Sequence, residues 1–324
     1  MTFIASVVAK KGVAIIADSL VTSSLPILHY NRFLDHLKTK PKSEGGDISL
    51  NPSEVESLFK FEPYYTKDYE EKLFKLNKYT AITTTGIAEI NDKKIIDIVQ
   101  SFVNSKSDLE NQSIPIEQRI SDFSEFVTKE IREHLTKYEE IGRCIFIITF
   151  YETTISKTHI FKTTLKENDR QSLENPNFLY LKTIKEADWI KVVCDGQNKL
   201  SDNVLYGIGK PLYEIFPDLI SNIIDKLQLP EGSIPPDFID QLMNDEYFSK
   251  IFYGDVELLN LSELSLQQAV DLASLLMRLE VDFQKYTRNV PTVGGLIKLA
   301  IIDHDNGFNF ISGDNVIPPR HITI

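Results

Sequence analysis

The sequence begins with the segment TFIASVVAKKGVAIIADSLVT, residues 2–22, directly after Met1. Two short runs of apolar and β-branched residues flank the polar step Lys10-Lys11-Gly12. Two such runs joined by a glycine-bearing turn are typical of a β-hairpin. We therefore expect a fold whose first strand begins at the N-terminus of the chain.

Further strands and helices follow in blocks and do not alternate. The patterns predict strands at 72–76, 79–85, 144–151, 154–163 and 189–194, with a closing hairpin of 297–303 and 308–312 around Asn306-Gly307. Helices are predicted at 87–104, 116–138, 211–227 and 266–286, the last with Ser265 and Gln268 as a capping box. Runs of strands that enclose runs of helices favour layered α+β packing over a doubly wound fold.

Two polar segments that contain several prolines interrupt this order. They lie at about 23–70 and 199–260, and we interpret both as insertions into a single domain of residues 1–324. Local helix is expected near 53–59 in the first insertion. The second contains the predicted helix 211–227.

Composition and charge exclude several classes of function. A net charge of −12 argues against nucleic-acid binding, because an acidic surface repels phosphates. The apolar stretch 13–17 is too short for a signal peptide and lacks a cleavage site, and no run of 18 apolar residues occurs, so we expect a cytoplasmic protein that has no membrane contact. The two cysteines, Cys144 and Cys194, lie in strand-like runs and are expected to be buried thiols.

The sequence also lacks the spacing of the usual metal and nucleotide sites. The six histidines have no metal-ligand spacing and no cysteine pair beside them. The segment Gly207-Ile208-Gly209-Lys210 is followed by Pro211, where a phosphate-binding loop needs Ser or Thr. We therefore expect neither a metal nor a cofactor.

Thr2 is the first candidate for chemistry. Threonine is small enough for removal of Met1 to be expected, and removal leaves a free α-amine with a pKa of about 7.7–8.0. Such an amine can take the proton of its own hydroxyl near neutral pH, so one residue supplies both nucleophile and base. A threonine after Met1 is common, however, and the surrounding pattern has to carry the argument.

That pattern resembles a known family. Residues 2–22 resemble, without a gap, the amino terminus of mature proteasome β-type subunits, with Gly12, the step Ala17-Asp18-Ser19 and Thr22 as matching features. The segment KLFKLNKYTAITTTGIAE, residues 72–89, resembles the family's next strand pair, with Lys72 at its start and Gly86 fourteen residues later. A weaker likeness is VPTVGGLIKLAII, residues 290–302.

The resemblance implies a fold and a function. The fold is the four-layer αββα sandwich of N-terminal nucleophile hydrolases, in which two antiparallel sheets pack face to face and helices cover both outer faces. The function is hydrolysis of a peptide or other amide bond without a cofactor, within a homo-oligomer. Whether an ATP-dependent unfoldase delivers the substrate stays open.

The resemblance also implies residue roles. The hydroxyl of Thr2 is the nucleophile and its amine is the base. Lys72 lowers the pKa of both groups, Asp18 holds Lys72, and the N–H of Gly86 stabilises the oxyanion. Each residue alone has a simpler interpretation: Asp18 as a turn former, Lys72 as a solvated side chain, and Gly86 as a conformational requirement.

The chain departs from the family pattern at two places. Cys194-Asp195-Gly196 stands where the family has Gly-Ser-Gly, so that Asp195 either supports the amine or caps a helix. The Asp-x-x-Ser step expected before Gly294-Gly295 is absent, and Thr292 can replace its serine only with a shift of register. A non-catalytic scaffold or binding subunit is therefore the alternative function.

Overall fold

The computed structural model describes residues 2–40, 48, 50–67, 70–111, 114–138, 141–165, 180–184, 192–206, 209–227, 235, 237–243, 261, 263–287 and 291–311. The strands are β1 Phe3–Ala9, β2 Gly12–Ala17, β3 Val21–Ile27, β4 Lys60–Lys67, β5 Leu73–Asn77, β6 Thr80–Gly86, β7 Glu89–Ile90, β8 Lys93–Lys94, β9 Cys144–Glu152, β10 Lys157–Leu165, β11 Tyr180–Ile184, β12 Val192–Gly196, β13 Lys298–Asp303 and β14 Gly307–Phe310. The helices are α1 Tyr30–Thr39, α2 Pro52–Glu56, α3 Ile95–Ser105, α4 Ile116–Lys137, α5 Lys199–Tyr206, α6 Gly209–Leu227, α7 Phe238–Met243 and α8 Leu266–Phe283, followed by the 3-10 turn Gln284–Tyr286.

The strands form a mixed α/β fold with two five-stranded antiparallel sheets. The first sheet has the order β12-β1-β2-β13-β14, and the second has the order β11-β10-β9-β6-β5. Two smaller pairs, β3 with β4 and β7 with β8, complete the described strands. The N-terminal hairpin is confirmed, with Ala9 opposite Gly12. Gly12 has φ +145°, and a Cβ there would lie 2.5 Å from the carbonyl oxygen of Ile302, so its turn requires glycine.

Alternation along the strands divides the apolar residues into three clusters. Side chains at every second position of β1 point to one face, so Phe3, Ala5 and Val7 pack with Leu276 and Met277 of α8. Ile4, on the opposite face of β1, belongs to a second cluster that contains residues of both five-stranded sheets, namely Val13, Ile15, Val193, Leu73, Ala81, Ile147 and Ile160. The third cluster joins α3 and α4 to the other face of the second sheet through Phe102, Phe123, Ile82, Phe146 and Ile148.

Several predicted elements are confirmed with small changes of boundary. The capping box of Ser265 and Gln268 is present at the start of α8, and the last turn of the predicted helix 266–286 is 3-10. The closing hairpin is present as β13 and β14. Residues 189–191 of the strand predicted at 189–194, and residue 312 of the predicted closing hairpin, lie outside the described residues.

Other predictions were wrong in detail. The helix predicted at 87–104 begins only at Ile95, because Asn91 and Asp92 adopt positive φ and turn β7 into β8. The segment 23–70, interpreted as an irregular insertion with one local helix, contains the strand pair β3–β4 and α1 as well as the expected helix α2. Strand β11 was not predicted. No helix in the described part of the chain combines the length and apolarity that crossing a membrane requires.

Candidate active site

Thr2 lies at the start of β1 and is held by the end of β12. Its side chain is buried, and its carbonyl oxygen accepts a hydrogen bond of 2.6 Å from the N–H of Gln197. Gly196 faces Phe3 across the strand pair with φ +93°, and a Cβ there would lie 1.8 Å from the carbonyl oxygen of Thr2. Any larger residue at 196 therefore has to displace the backbone of Thr2.

Asp18 and Lys72 form a buried ion pair next to the backbone that follows Thr2. Lys72 Nζ lies 2.9 Å from Asp18 Oδ1 and 2.5 Å from the carbonyl oxygen of Leu20. The N–H of Phe3 donates to the same Oδ1 at 3.1 Å, and the N–H of Gly294 donates to Oδ2 at 3.0 Å. Lys72 Nζ therefore lies within about 6 Å of the amide nitrogen that follows Thr2.

The burial of this pair rejects the simpler interpretations of both residues. Asp18 and Lys72 are 1% and 7% exposed, so Lys72 is not a solvated lysine and Asp18 is not a solvent-facing turn former. Burial lowers the pKa of Lys72, and the carboxylate of Asp18 opposes that shift. Burial also raises the pKa of Asp18, whereas Lys72 and the N–H groups of Gly294 and Phe3 favour its charged form. Each partner thus stabilises the charge of the other in a site that is largely shielded from solvent.

Thr2, Lys72 and Gly86 line one cleft. The cleft lies between the start of β1 and the loop that connects β6 to α3. Its other lining residues are Val21, Thr22, Glu70, Glu71, Thr84, Thr85, Ile87, Ala88 and Ile95. Three of the predicted site residues therefore share a single opening, and Asp18 contacts it through Lys72.

Gly86 ends β6 in a conformation that requires glycine. Its φ is +103°, and a Cβ there would lie 1.9 Å from the carbonyl oxygen of Arg143, which also accepts the N–H of Ile87. The interpretation of Gly86 as a conformational requirement is therefore confirmed. This requirement is compatible with an oxyanion role for its N–H.

Asp195 lies apart from the cleft lining. It belongs to β12 opposite Ile4, and its carboxylate contacts Lys162 of β10 and, at 3.9 Å, the guanidinium of Arg143. It also accepts the N–H of Gly196 at 2.6 Å. Helix α5 begins at Lys199, so the alternative prediction of Asp195 as its capping residue was wrong.

The loop that precedes β13 is connected to Thr2 by hydrogen bonds. The hydroxyl of Thr292 donates to the side-chain oxygen of Gln197, and the backbone N–H of Gln197 donates to the carbonyl oxygen of Thr2. The buried side chain of Gln284 accepts the N–H groups of Thr292 and Val293 and so fixes this loop. Gln197 and Gln284 were not predicted from the sequence, because a lone glutamine carries no motif.

The cleft thus combines a hydroxyl, a buried ammonium and a backbone that requires glycine. No family model and no curated protein matches this chain. Among the described residues, no group of three or more His, Cys, Asp or Glu side chains has the arrangement of a metal site.

Proposed function

We propose that this protein is an N-terminal nucleophile hydrolase that cleaves peptide or other amide bonds with Thr2 after removal of Met1. The observation that carries the proposal is the buried pair of Asp18 and Lys72, hydrogen-bonded to the N–H that follows Thr2. Burying two charges costs free energy that well-packed apolar residues avoid. A buried ammonium that lines the same cleft as Thr2 therefore supports a catalytic purpose.

The mechanism uses only groups of this chain. The free amine of Thr2 takes the hydroxyl proton while Oγ attacks the substrate carbonyl, and the amine then gives that proton to the leaving nitrogen. An ester between Thr2 and the acyl group remains. Water, activated by the same amine, hydrolyses this ester and regenerates the hydroxyl. The ammonium of Lys72 favours the deprotonated forms of both Thr2 groups by its charge.

The oxyanion needs a donor at the far side of the cleft. The backbone at Gly86 lines the cleft with Thr2, and its N–H is the donor that we propose. The requirement for glycine at this position keeps the backbone free of a side chain, which allows a carbonyl to approach. This role depends on the bound substrate, since the free enzyme holds no oxyanion.

The arrangement of sheets and helices into layers is part of the same proposal. We propose that the chain forms a four-layer αββα sandwich in one domain with two insertions. The cluster shared by both sheets and the two helix-covered clusters support it. We also propose a homo-oligomer, on the family resemblance of residues 2–22 and 72–89, and a cytoplasmic location.

A non-catalytic scaffold is the second candidate, and two observations favour it. The carboxylate of Asp195 is bound by Lys162 and Arg143, and Val293 stands where the family resemblance implies a serine. In the family pattern, the serine at the position of Asp195 supports the amine, and the serine of the Asp-x-x-Ser step is part of the same pattern. Their loss leaves Thr2 with fewer hydrogen-bond partners for its amine than the pattern supplies.

Mass spectrometry of the purified protein with a peptide epoxyketone separates the two candidates. We expect the mass of the chain without Met1 and one added probe on Thr2. Thr2→Ala and Lys72→Met are expected to abolish labelling, whereas Lys93→Met, which removes a lysine paired with Glu130 outside the cleft, leaves it unchanged. Retention of Met1, or labelling that persists in Thr2→Ala, contradicts the hydrolase proposal.

A further inference from the structure

Helix α6 is held in the protein by one apolar row of side chains. It packs against α5 and α7, which precede and follow it in the chain. Phe216, Ile220 and Ile224 recur at every fourth position of α6, and all three are half-buried. One such row is enough to hold a helix on a protein surface.

A second apolar row on the same helix is open to solvent. Its four side chains also recur at every fourth position and are 44–61% exposed, namely Ile215, Leu219, Ile223 and Leu227. We call these four residues the α6 stripe. At a rise of about 1.5 Å per residue, the α6 stripe is about 18 Å long. A contiguous apolar row of this length that stays exposed is typical of an interaction surface.

The α6 stripe is complementary to itself when two copies of the helix run antiparallel. A two-fold axis at the level of residue 221 places Ile215 opposite Leu227 of the second copy, and Leu219 opposite Ile223 of the second copy. Every apolar side chain of the stripe then meets another one. Rows with a spacing of four are the ridges by which helices most often pack. Such a contact uses the same surface on both copies and therefore closes as a dimer.

The row beside the α6 stripe is complementary in charge in the same arrangement. Asp218, Asn222 and Lys226 each precede a stripe residue by one position, and all three are exposed. With the axis at residue 221, Lys226 of one copy is displaced by only about 3 Å along the helix from Asp218 of the other. The axis repeats this pair of opposite charges. A parallel arrangement would instead place Asp218 against Asp218 and Lys226 against Lys226, which is unfavourable.

We propose that two copies of this protein associate through α6 as an antiparallel helix pair. The helix lies in the segment 199–260, interpreted from the sequence as an insertion, so this contact is separate from those that the family resemblance implies. It also does not depend on chemistry at Thr2.

The charges of α6 favour a second copy over a lipid surface. Helices that lie on membranes carry Lys and Arg along their polar side. The exposed polar residues of α6 beside its stripe are instead Asp218, Ser221, Asn222 and Asp225, with Lys226 as the one basic side chain among them. This set suits the pairing of Asp218 with Lys226 and does not suit anionic lipid.

The size of the contact predicts a reversible dimer. At about 30 Å² per carbon, four half-exposed Leu and Ile side chains present roughly 250 Å² of apolar surface on each copy. If about 60% of the interface is apolar, the pair buries roughly 850 Å² in total. This is near the lower limit of about 1,000 Å² for specific interfaces. Association is therefore expected to depend on protein concentration.

Sedimentation velocity of the full chain between about 1 and about 100 µM measures this association. We expect the mass of the assembly to double as the concentration rises. Leu219→Glu places a charge in the α6 stripe, and we expect it to weaken association at least tenfold and to halve the mass at the highest concentration. Ser221→Glu adds the same charge to the exposed opposite side of α6 and is expected to associate like the parent. Leu219→Ser is the milder change if Leu219→Glu fails to fold.

A charge exchange tests the pairing across the axis. Asp218→Lys alone or Lys226→Asp alone brings like charges together, and we expect each to weaken association about threefold to tenfold. The double variant Asp218→Lys/Lys226→Asp restores opposite charges and is expected to associate like the parent.

Cross-linking tests the antiparallel direction in a Cys194→Ala background. Chains with Leu219→Cys mixed with chains with Ile223→Cys are expected to form a disulfide between copies. Two Ile215→Cys chains are expected not to, because their positions lie about 18 Å apart along an antiparallel pair and a disulfide needs a Cα separation of about 6 Å.

Three results overturn the inference. They are an equal mass of Leu219→Glu and the parent, equal effects of Leu219→Glu and Ser221→Glu, and efficient cross-linking of two Ile215→Cys chains. Sedimentation of a monomeric parent together with phosphatidylcholine vesicles also overturns it and assigns the α6 stripe to a lipid surface. None of these outcomes depends on acylation of Thr2, so the dimer and the proposed hydrolase stand or fall separately.

Discussion

The N–H of Phe3 donates a hydrogen bond of 3.1 Å to Oδ1 of Asp18, fifteen residues later in the chain. The same oxygen binds the ammonium of Lys72. One carboxylate oxygen thus joins the backbone beside Thr2 to a lysine that is only 7% exposed. The position of Thr2 and the charge of Lys72 are therefore expected to respond together to changes at Asp18.

Lys72→Met is expected to lower the free energy of unfolding by about 3–5 kcal/mol. The cause is the carboxylate of Asp18, which the change leaves buried without its cation. The measurement is urea denaturation at pH 7. In the double variant Asp18→Asn/Lys72→Met, which removes both charges, we expect part of the loss to be recovered.

Lys93→Met is the matched control for this change. Lys93 pairs with Glu130 at 2.7 Å, and its side chain is 47% exposed. The carboxylate of Glu130 is mostly buried, but the ammonium of Lys93 reaches solvent, so its removal is expected to cost less than removal of the buried Lys72. Similar losses for Lys72→Met and Lys93→Met are incompatible with a buried pair at Asp18.

Gly196→Ala is expected to cost about 3 kcal/mol and to reduce labelling of Thr2. The new methyl group meets the carbonyl of Thr2, and the backbone has to abandon φ +93°. Gly294→Ala tests strain alone, because its φ is +149° while its nearest neighbouring atom lies 3.8 Å from the added Cβ. We expect it to cost about 1–2 kcal/mol. Denaturation and probe labelling of both variants check this, and equal costs contradict it.

Glu280→Gln is expected to change how stability depends on pH. Glu280 is buried, and its carboxylate accepts the N–H and hydroxyl of Ser201. Burial raises its pKa above the value of 4.5 in the unfolded chain. The native state therefore binds more protons above pH 4.5, and the contribution of Glu280 to stability falls as pH rises through the folded pKa.

The variant Glu280→Gln has no carboxylate to titrate at this position, so it does not lose this stability as the pH rises. The stability of Glu280→Gln relative to the parent should therefore increase from pH 4 to pH 8 in urea denaturation. Glu125→Gln on the exposed face of α4 is the control for the removal of one carboxylate. A difference between parent and Glu280→Gln that stays constant over this range refutes the buried titration.

The two cysteines are expected to react differently with a disulfide reagent. Burial raises the pKa of Cys144 to about 12, so its thiolate is scarce at pH 8. Cys194 is only partly buried. The native protein should react at Cys194 alone, and the denatured protein at both. Loss of native labelling in Cys194→Ala, and its persistence in Cys144→Ala, would establish this order.

Local chemistry made part of the fold predictable. The β1–β2 hairpin, the Asn306-Gly307 turn and the capping box of α8 depend on neighbouring residues, and all three are confirmed. The turn at Asn91-Asp92 was missed because the apolar periodicity of α3 extends past the start of the helix. Strand β11 was missed because its pairing with β10 is a contact between distant segments.

The candidate site was also predictable from the sequence only in part. The family resemblance of the sequence pointed to Thr2, Asp18, Lys72 and Gly86, and three of these four line the cleft. Asp195 could not be assigned, since its partners Lys162 and Arg143 come from strands far along the chain. Gln197 and Gln284 became visible only as hydrogen-bond partners.

The sequence by itself therefore determined the local elements and the residues that chemistry at Thr2 would need. Only the tertiary structure decided that Asp18 and Lys72 are buried and that Thr2, Lys72 and Gly86 line one cleft. Burial and strand order depend on which distant segments pack together, and no local pattern encodes them. The charges of Asp18 and Lys72 are stable in the interior because folding brings them within 2.9 Å of each other.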